Sequence, residues 1–279
     1  MTTNEEIIEV GSLKWFYRQT KPLGRSGKLP VLLLHGIPSQ SFSWTQVMPA
    51  LADKGYTSIA PDWIGCGFSA KPDRRDFAYT PEAFLQALTD FIEKLELEKF
   101  SLVGQGFLGS VGIQYALRHP EKIERLAIVG APVSPEAKLP WKLQQLGLPF
   151  VGDMLTQDPL LVDRTLEGGS GYAISDEDLD VYRRPFLKSS DAGRSLLATV
   201  RNLQIPQIGA EIATGLQNWE QPTLIVWGMK DPWLPVSQAE QLKAAMPNAE
   251  LVKIEEAGHY PQEHCSEKVS DALIGFLRR

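Results

Sequence analysis

Two residues near the end of the chain, Asp231 and His259, have the types and spacing of an acid–base pair. Asp231 follows an apolar run that ends at Trp227, and His259 follows another that ends at Ile254. An aspartate in this position can orient an imidazole and stabilise its protonated form, so that the pair moves protons during a reaction. We therefore predict that Asp231 and His259 are catalytic residues.

Gly106 stands where such a pair requires a nucleophile. Residues 99–110 have the pattern of a buried strand, a tight turn and a helix start, which is the setting of the nucleophile elbow G-x-S-x-G. The elbow here is Gly104-Gln105-Gly106-Phe107-Leu108, so its central position has no side chain. Covalent catalysis needs an oxygen or sulfur atom there. Glycine suits the turn, because the backbone at this position normally has a strained positive φ.

Four other residues are alternative nucleophiles. Ser110 lies one helical turn further on and Ser101 precedes the strand, whereas Ser69 and Cys66 belong to a neighbouring loop. Ser110 is expected inside a helix and not on the exposed turn. A serine inside a helix is more often a packing residue than a nucleophile.

The same stretch also contains the pattern Gly104-x-Gly106-x-x-Gly109, which is a dinucleotide-binding fingerprint when it joins a strand to a helix. A ribose-binding acid should then follow the next strand, but that strand ends in Val129-Gly130-Ala131-Pro132. The pattern is a weak indication of nucleotide binding.

Composition limits the partners of the chain. Its 279 residues are 43% hydrophobic and 22% charged, which fits one large α/β domain or a domain with an insertion. A net charge of -6 argues against binding to nucleic acid or to anionic lipid. Cys66 and Cys265 lack metal-ligand spacing and are expected to be free thiols, and neither a metal nor a cofactor is predicted. Without a signal-peptide pattern or a membrane-length apolar run, the expected location is cytoplasmic.

Short apolar runs alternate with helical patterns along the chain, which is typical of a mainly parallel sheet. A helix is predicted over residues 80–97, with Thr80 as its cap and Pro81 at its first position. A hairpin is predicted to turn at Gly11-Ser12, and a final amphipathic helix begins at Ser266. The predicted buried strands are 31–34, 57–60, 100–103, 126–129, 223–227 and 251–254.

The alternation stops between residues 131 and 220. About 90 residues are too many for an ordinary crossover connection, so this segment is interpreted as an inserted helical lid. The predicted division is a core of residues 1–131 and 221–279 and a helical cap of residues 132–220.

Several motifs occur in an order that resembles the landmarks of the α/β-hydrolase superfamily. Within it, the chain resembles the haloalkane dehalogenase and epoxide hydrolase branch, and residues 170–187 resemble uncharacterised hydrolase-like proteins of cyanobacteria and plastids. The motifs are His35-Gly36-Ile37-Pro38, Asp62 to Ser69, the elbow at 104–108, Gly228 to Asp231, Gly258-His259, and Tyr182 to Phe186.

The resemblance implies an α/β-hydrolase fold in which the backbone N–H groups of Ile37 and Phe107 form an oxyanion hole. The dehalogenase branch holds its leaving halide with an Asn or Trp side chain near these two positions, and neither Ile37 nor Phe107 can donate a hydrogen bond. Dehalogenation is therefore disfavoured. Trp44, Trp141 and Phe186 are predicted to line an apolar ligand pocket beside the oxyanion residues.

Three classes of function follow. The first is a protein that binds a small, mostly apolar molecule without hydrolysing it. The second is an enzyme in which the Asp231–His259 pair acts as general base without a covalent intermediate. The third is a protein-interaction module that uses the lid surface. His35 is expected to be structural, and His119 and His264 are expected at the surface.

Overall fold

The structure is a computed structural model that describes residues 2–24, 26–158 and 160–279. The strands of its central eight-stranded sheet are β1 (Thr3–Val10), β2 (Leu13–Thr20), β3 (Val31–Leu34), β4 (Ser58–Pro61), β5 (Phe100–Gln105), β6 (Ile123–Val129), β7 (Thr223–Gly228) and β8 (Glu250–Ile254). Their order across the sheet is β1-β2-β4-β3-β5-β6-β7-β8. Strand β2 pairs antiparallel with β1 and β4, and the other neighbours pair in parallel. The mostly parallel α/β fold is confirmed.

Helices cover both faces of this sheet. They are α1 (Val47–Asp53), α2 (Pro81–Lys94), α3 (Gly106–Arg118), α4 (Trp141–Leu146), α5 (Val151–Leu155), α6 (Leu161–Ser170), α7 (Asp176–Lys188), α8 (Ser190–Asn202), α9 (Ile205–Gly215), α10 (Val236–Ala245), α11 (Pro261–His264) and α12 (Ser266–Leu277). Within the described ranges, no helix is long and apolar enough to cross a membrane.

Strand β3 is apolar along its whole length because both of its faces are covered. All four residues of β3 are buried. Val31 and Leu33 pack into the cluster that includes α1 and α12, whereas Leu32 and Leu34 pack into the cluster that includes α2 and α3. This two-sided burial is why such apolar runs predict strands. The predicted burial of residues 251–254 was wrong: β8 lies at the edge of the sheet, and only Ile254 in it is buried.

The hairpin and the first long helix follow their local sequence signals. β1 and β2 join through Gly11, whose φ is +58°, in the predicted turn. The Thr80 hydroxyl accepts the Ala83 N–H at the start of α2, with Pro81 as the first helical residue. The predicted end of this helix was wrong by three residues: α2 ends at Lys94, because Glu96 has a φ of +54°, which a helix cannot contain.

Helices α4 to α9 lie between β6 and β7, in the segment interpreted as a lid. Gln40 Nε2 donates to the Val181 carbonyl of α7 at 3.0 Å, and the hydroxyls of Tyr79 and Ser195 are 2.9 Å apart. These contacts attach the inserted helices to loops of the sheet. The division into a core and a separate cap domain stays a prediction.

Candidate active site

Asp231 and His259 lie together in the loops after β7 and β8. Asp231 Oδ2 is 2.8 Å from His259 Nδ1, and both side chains are buried. Asp231 Oδ1 accepts the backbone N–H groups of Trp233 and Leu234 at 2.8 and 3.0 Å, which fixes the carboxylate. When Nδ1 donates to this carboxylate, Nε2 is the basic atom of the ring. Among the described residues, buried Nε2 has no hydrogen-bond partner.

Gly106 is the first residue of α3 and faces that basic nitrogen. Its φ of +67° is in the left-handed region that glycine adopts without strain. A Cβ atom added to Gly106 would lie 3.2 Å from His259 Nε2 and 3.1 Å from the Cα atom of Gly36. A side chain at this position would therefore start beside the imidazole.

Three aromatic rings surround the His259 imidazole. Phe107 stacks on it at a centroid distance of 5.2 Å, Trp233 is tilted at 4.7 Å, and Tyr260 meets it edge-on at 5.0 Å. His259 is fully buried by this apolar surround. Trp233 and Tyr260 were not among the predicted site residues, although each is an aromatic residue within two positions of Asp231 or His259.

Gln105 joins the turn at Gly106 to the loop that carries His259. Its side-chain Oε1 accepts the Gly36 N–H at 3.0 Å, and its Nε2 donates to the His259 carbonyl at 2.9 Å. We call this pair of contacts the Gln105 bridge. All of these groups are buried, so the bridge satisfies backbone atoms that water does not reach. Its only sequence signal is a polar side chain at the end of an apolar strand.

Ile37 and Phe107 lie near each other because the residues before them in the chain, Gly36 and Gly106, are in close contact. The Ile37 carbonyl accepts the Tyr260 hydroxyl at 3.3 Å, and both the Ile37 and Phe107 side chains are buried in the core. An oxyanion hole formed by their N–H groups stays a prediction.

Of the three residues predicted to line the pocket, the structure brings only Phe186 to a cavity. With Tyr182 it lines a space of about 20 Å³ between α7 and the loops at residues 38–40 and 65–67. The placement of the other two was wrong. Trp44 packs on the opposite face of the sheet, with α1 and α12, and Trp141 is 66% exposed, because α4 packs through Leu143 and Leu146 instead.

None of the four alternative nucleophiles occupies the turn. Ser110 lies in α3 and donates to the Phe107 carbonyl, while the Ser69 hydroxyl donates within its own loop at 2.6 Å. Ser101 lies near the start of β5, at the opposite end of the strand from Gly106. Burial raises the pKa of Cys66 to about 12, so its thiol stays protonated.

The glycines of the dinucleotide pattern are explained by packing. A Cβ atom on Gly104 would lie 2.7 Å from the Gly109 carbonyl oxygen, and one on Gly109 would lie 3.1 Å from the Leu34 carbonyl oxygen. These glycines let α3 approach β3 and β5 closely. This packing accounts for the spacing without a bound nucleotide.

His35 belongs to the interior beside the turn. Its Nε2 accepts the Trp63 N–H at 3.1 Å, and its Nδ1 is 2.7 Å from the Gly36 carbonyl oxygen. Burial lowers the pKa of His35 to about 4. A neutral, hydrogen-bonded ring fits the expected structural role. Across the described ranges, no group of three or more His, Cys, Asp or Glu side chains is arranged to hold a metal ion.

Most of the chain matches one known protein family. Residues 30–264 match the model of the alpha/beta hydrolase fold. The chain is 32% identical to a cis-3-alkyl-4-alkyloxetan-2-one decarboxylase of Shewanella oneidensis, over 89% of this chain and 81% of that protein. The haloalkane dehalogenase DbeA of Bradyrhizobium elkani superposes with a TM-score of 0.88 at 24% identity, covering 99% and 98% of the two chains. A reconstructed ancestral haloalkane dehalogenase reaches 0.86 at 28% identity, covering 98% of each chain.

Proposed function

We propose a function for this chain, which belongs to the alpha/beta hydrolase fold family, in its haloalkane dehalogenase-like branch. The proposed function is to bind a small, largely apolar molecule without covalent catalysis. The observation that carries the proposal is the geometry at Gly106. The position that faces His259 Nε2 has no side chain, while His259 Nδ1 remains 2.8 Å from Asp231 Oδ2. The similarity to cyanobacterial and plastid proteins stays a prediction.

The absence of a nucleophile at residue 106 removes the covalent route. An ester or epoxide is opened in such a route by an oxygen or sulfur atom held next to the base. Ser110 and Ser69 direct their hydroxyls to backbone carbonyls, and Cys66 keeps its proton. Loss of the bond-forming atom is therefore not compensated by any of these side chains.

The surroundings of His259 support an apolar ligand. Phe107, Trp233 and Tyr260 present ring surfaces around the imidazole. The relatives named above act, by their names, on dialkyl oxetanones and haloalkanes, which are small and largely apolar. A space of about 20 Å³ beside Phe186 holds little more than one water molecule. A ligand larger than water would fit this space only if α7 moved away from the loops at residues 38–40 and 65–67.

A second candidate function is general-base catalysis, and one observation favours it. Buried His259 Nε2 is without a partner among the described residues, so its lone pair is available to accept a proton. It would take the proton from water or from the substrate, and Asp231 would stabilise the imidazolium that forms. Such a step contributes about 10² to 10⁴-fold without any nucleophile.

One experiment separates the two candidates. The purified protein is incubated with an alkyl-substituted oxetan-2-one, an ester, an epoxide and a haloalkane, and both binding and product are measured. The binding proposal expects saturable binding without turnover. Turnover that His259→Ala abolishes would instead support the general-base candidate. Turnover that survives His259→Ala, or no binding to any of the four compounds, would contradict both.

A further inference from the structure

A second cavity lies outside the group around His259. It has a volume of about 580 Å³ and runs between the β1–β2 hairpin and helix α7. This is within the range of about 300 to 1,000 Å³ that is typical of small-molecule sites. We call it the hairpin groove. Its lining residues include none of Gly106, Asp231 and His259.

Aromatic and aliphatic side chains form the apolar part of the hairpin groove. The rings of Phe16 and Phe68 are 5.2 Å apart, and Phe42 lies in the same lining. Ile7, on the edge strand β1, is 57% exposed there. A hydrocarbon group bound against these side chains would be stabilised by the apolar area that it removes from water.

The charged residues of the groove are mostly cationic, in a chain whose net charge is -6. Arg18, Arg184 and Lys188 line it, with Glu5 as the acidic residue among those that form it. Arg184 and Lys188 are four positions apart on α7, so they lie on the same side of the helix and repel each other. Among the described residues, neither takes part in an ion pair.

Arg18 provides a fixed charge at the floor of the groove. Its side chain is only 5% exposed, and its guanidinium lies 5.0 Å from the Phe16 ring centre and 5.7 Å from that of Phe42. Its Nη1 donates to the Ser41 hydroxyl at 2.6 Å, and its Nη2 donates to Glu5 Oε1 at 2.9 Å. Because Glu5 is largely exposed, an incoming anion can replace its carboxylate at Arg18.

We propose that the hairpin groove binds an anionic amphiphile, a carboxylate or phosphate monoester that carries a hydrocarbon chain. Arg184 and Lys188 hold the headgroup, which relieves their mutual repulsion, and the chain lies against Phe42 and Phe68. The groove includes Val181, whose carbonyl already accepts Gln40 from the loop after Ile37. A bound amphiphile would thus link α7 to the hairpin. This site does not depend on the function proposed for the His259 group.

The test uses the full chain and two soluble probes of equal chain length, decanoate and decyltrimethylammonium, below their micelle concentrations. Calorimetry measures affinity, and backbone amide chemical shifts locate the bound probe. We expect decanoate to bind, decyltrimethylammonium to bind at least fivefold more weakly, and the shifts to map to Phe42, Phe68 and Arg184. A higher salt concentration should weaken the binding of decanoate, because salt partly screens the attraction between its carboxylate and the cationic side chains.

Three variants sharpen the test. The double substitution Arg184→Ala with Lys188→Ala should lower the affinity for decanoate on the order of tenfold, because two charge-assisted contacts are lost. The matched control, Lys54→Ala with Lys94→Ala, removes two exposed lysines outside the groove and should change affinity less than twofold. Glu5→Gln removes the competing carboxylate and should strengthen binding by about threefold.

The proposal is overturned by equal binding of the two probes or by unchanged affinity in the Arg184→Ala/Lys188→Ala variant. Shifts centred on Phe107 and Trp233 would place decanoate beside His259, which would overturn the hairpin groove and support the function proposed for that site. Binding to phosphatidylglycerol vesicles but not to dissolved decanoate or decyl phosphate would identify a membrane surface and would also overturn it.

Discussion

Two regions at the carboxyl edge of the same sheet, the loops of Asp231 and His259 and the turn at Gly106, differ in the groups that they hold. The Asp231–His259 side has a buried acid whose two oxygens are both hydrogen-bonded and a base whose Nε2 has no hydrogen-bond partner among the described residues. The Gly106 side has the strand, the positive-φ turn and the helix start, but no side chain at the turn. Hydrogen bonds thus hold Asp231 and His259 in place although residue 106 has no side chain.

The largest expected effect comes from giving the Gly106 side the missing atom. Gly106→Asp places a carboxylate beside His259 Nε2, and we expect hydrolysis of an epoxide or alkyl-substituted oxetanone to rise on the order of 10³-fold or more. Product formation over time provides the measurement. Gly106→Ala, which adds only the Cβ atom, is the matched control and should stay inactive. Equal activity in the two variants would show that the Asp231–His259 side cannot support a nucleophile.

Removing the base should destabilise the Asp231–His259 side. His259→Ala leaves a space between three rings and takes the donor away from a buried carboxylate, so we expect a loss of about 3 to 5 kcal/mol in unfolding free energy. Urea unfolding measures it. The control is His119→Ala, at a partly exposed histidine, which should change stability by less than about 0.5 kcal/mol. Similar losses of unfolding free energy in both variants would mean that the Asp231–His259 contact contributes little to the stability of the fold.

The Gly106 side should respond to acid through His35. The pKa of His35 is about 4 in the folded chain, against 6.5 ordinarily, because burial disfavours the charged ring. Between those pH values the unfolded chain binds a proton that the folded chain does not, so stability falls as pH decreases, by about 3 kcal/mol in all. Unfolding curves at several pH values check this. His35→Gln should flatten the decrease, and an unchanged slope would assign it to other groups.

A smaller effect is expected where the two sides meet. Gln105→Met keeps the length of the side chain but leaves the Gly36 N–H and the His259 carbonyl without their partner, which should cost about 2 kcal/mol. The matched control, Gln86→Met, changes an exposed glutamine on α2 and should be nearly neutral. Urea unfolding compares them. If Gln105→Met is also neutral, the Gln105 bridge does not connect the two sides energetically.

Local sequence patterns were sufficient to predict the strands and to place Asp231 and His259 in loops at the same edge of the sheet. The β3 and β7 runs are apolar because both faces of the sheet are covered, and a loop after a parallel strand lies at a known edge. Which face receives a given ring is not encoded locally, so Trp44 was placed on the wrong side of the sheet. The end of α2 at Lys94 depended on the conformation of Glu96.

Contacts between distant parts of the chain could not be predicted from one sequence. The Gln105 bridge joins residues 154 positions apart, and no local period indicates such a pairing. The closure of Trp233 and Tyr260 over the imidazole likewise depends on the packing of two separate loops. The boundaries of the cap at residues 132 and 220 remain predictions.

The Gln105 bridge has a consequence for how this protein can change over evolutionary time. It anchors the turn through backbone atoms of Gly36 and His259, and therefore does not depend on the side chain at residue 106. A new side chain there would cost about 1 to 3 kcal/mol for its positive φ, and its Cβ atom would lie 3.1 Å from the Gly36 Cα atom, so the loop at Gly36 would have to shift slightly. An exchange of residue 106 over evolutionary time would therefore leave both hydrogen bonds of the Gln105 bridge in place.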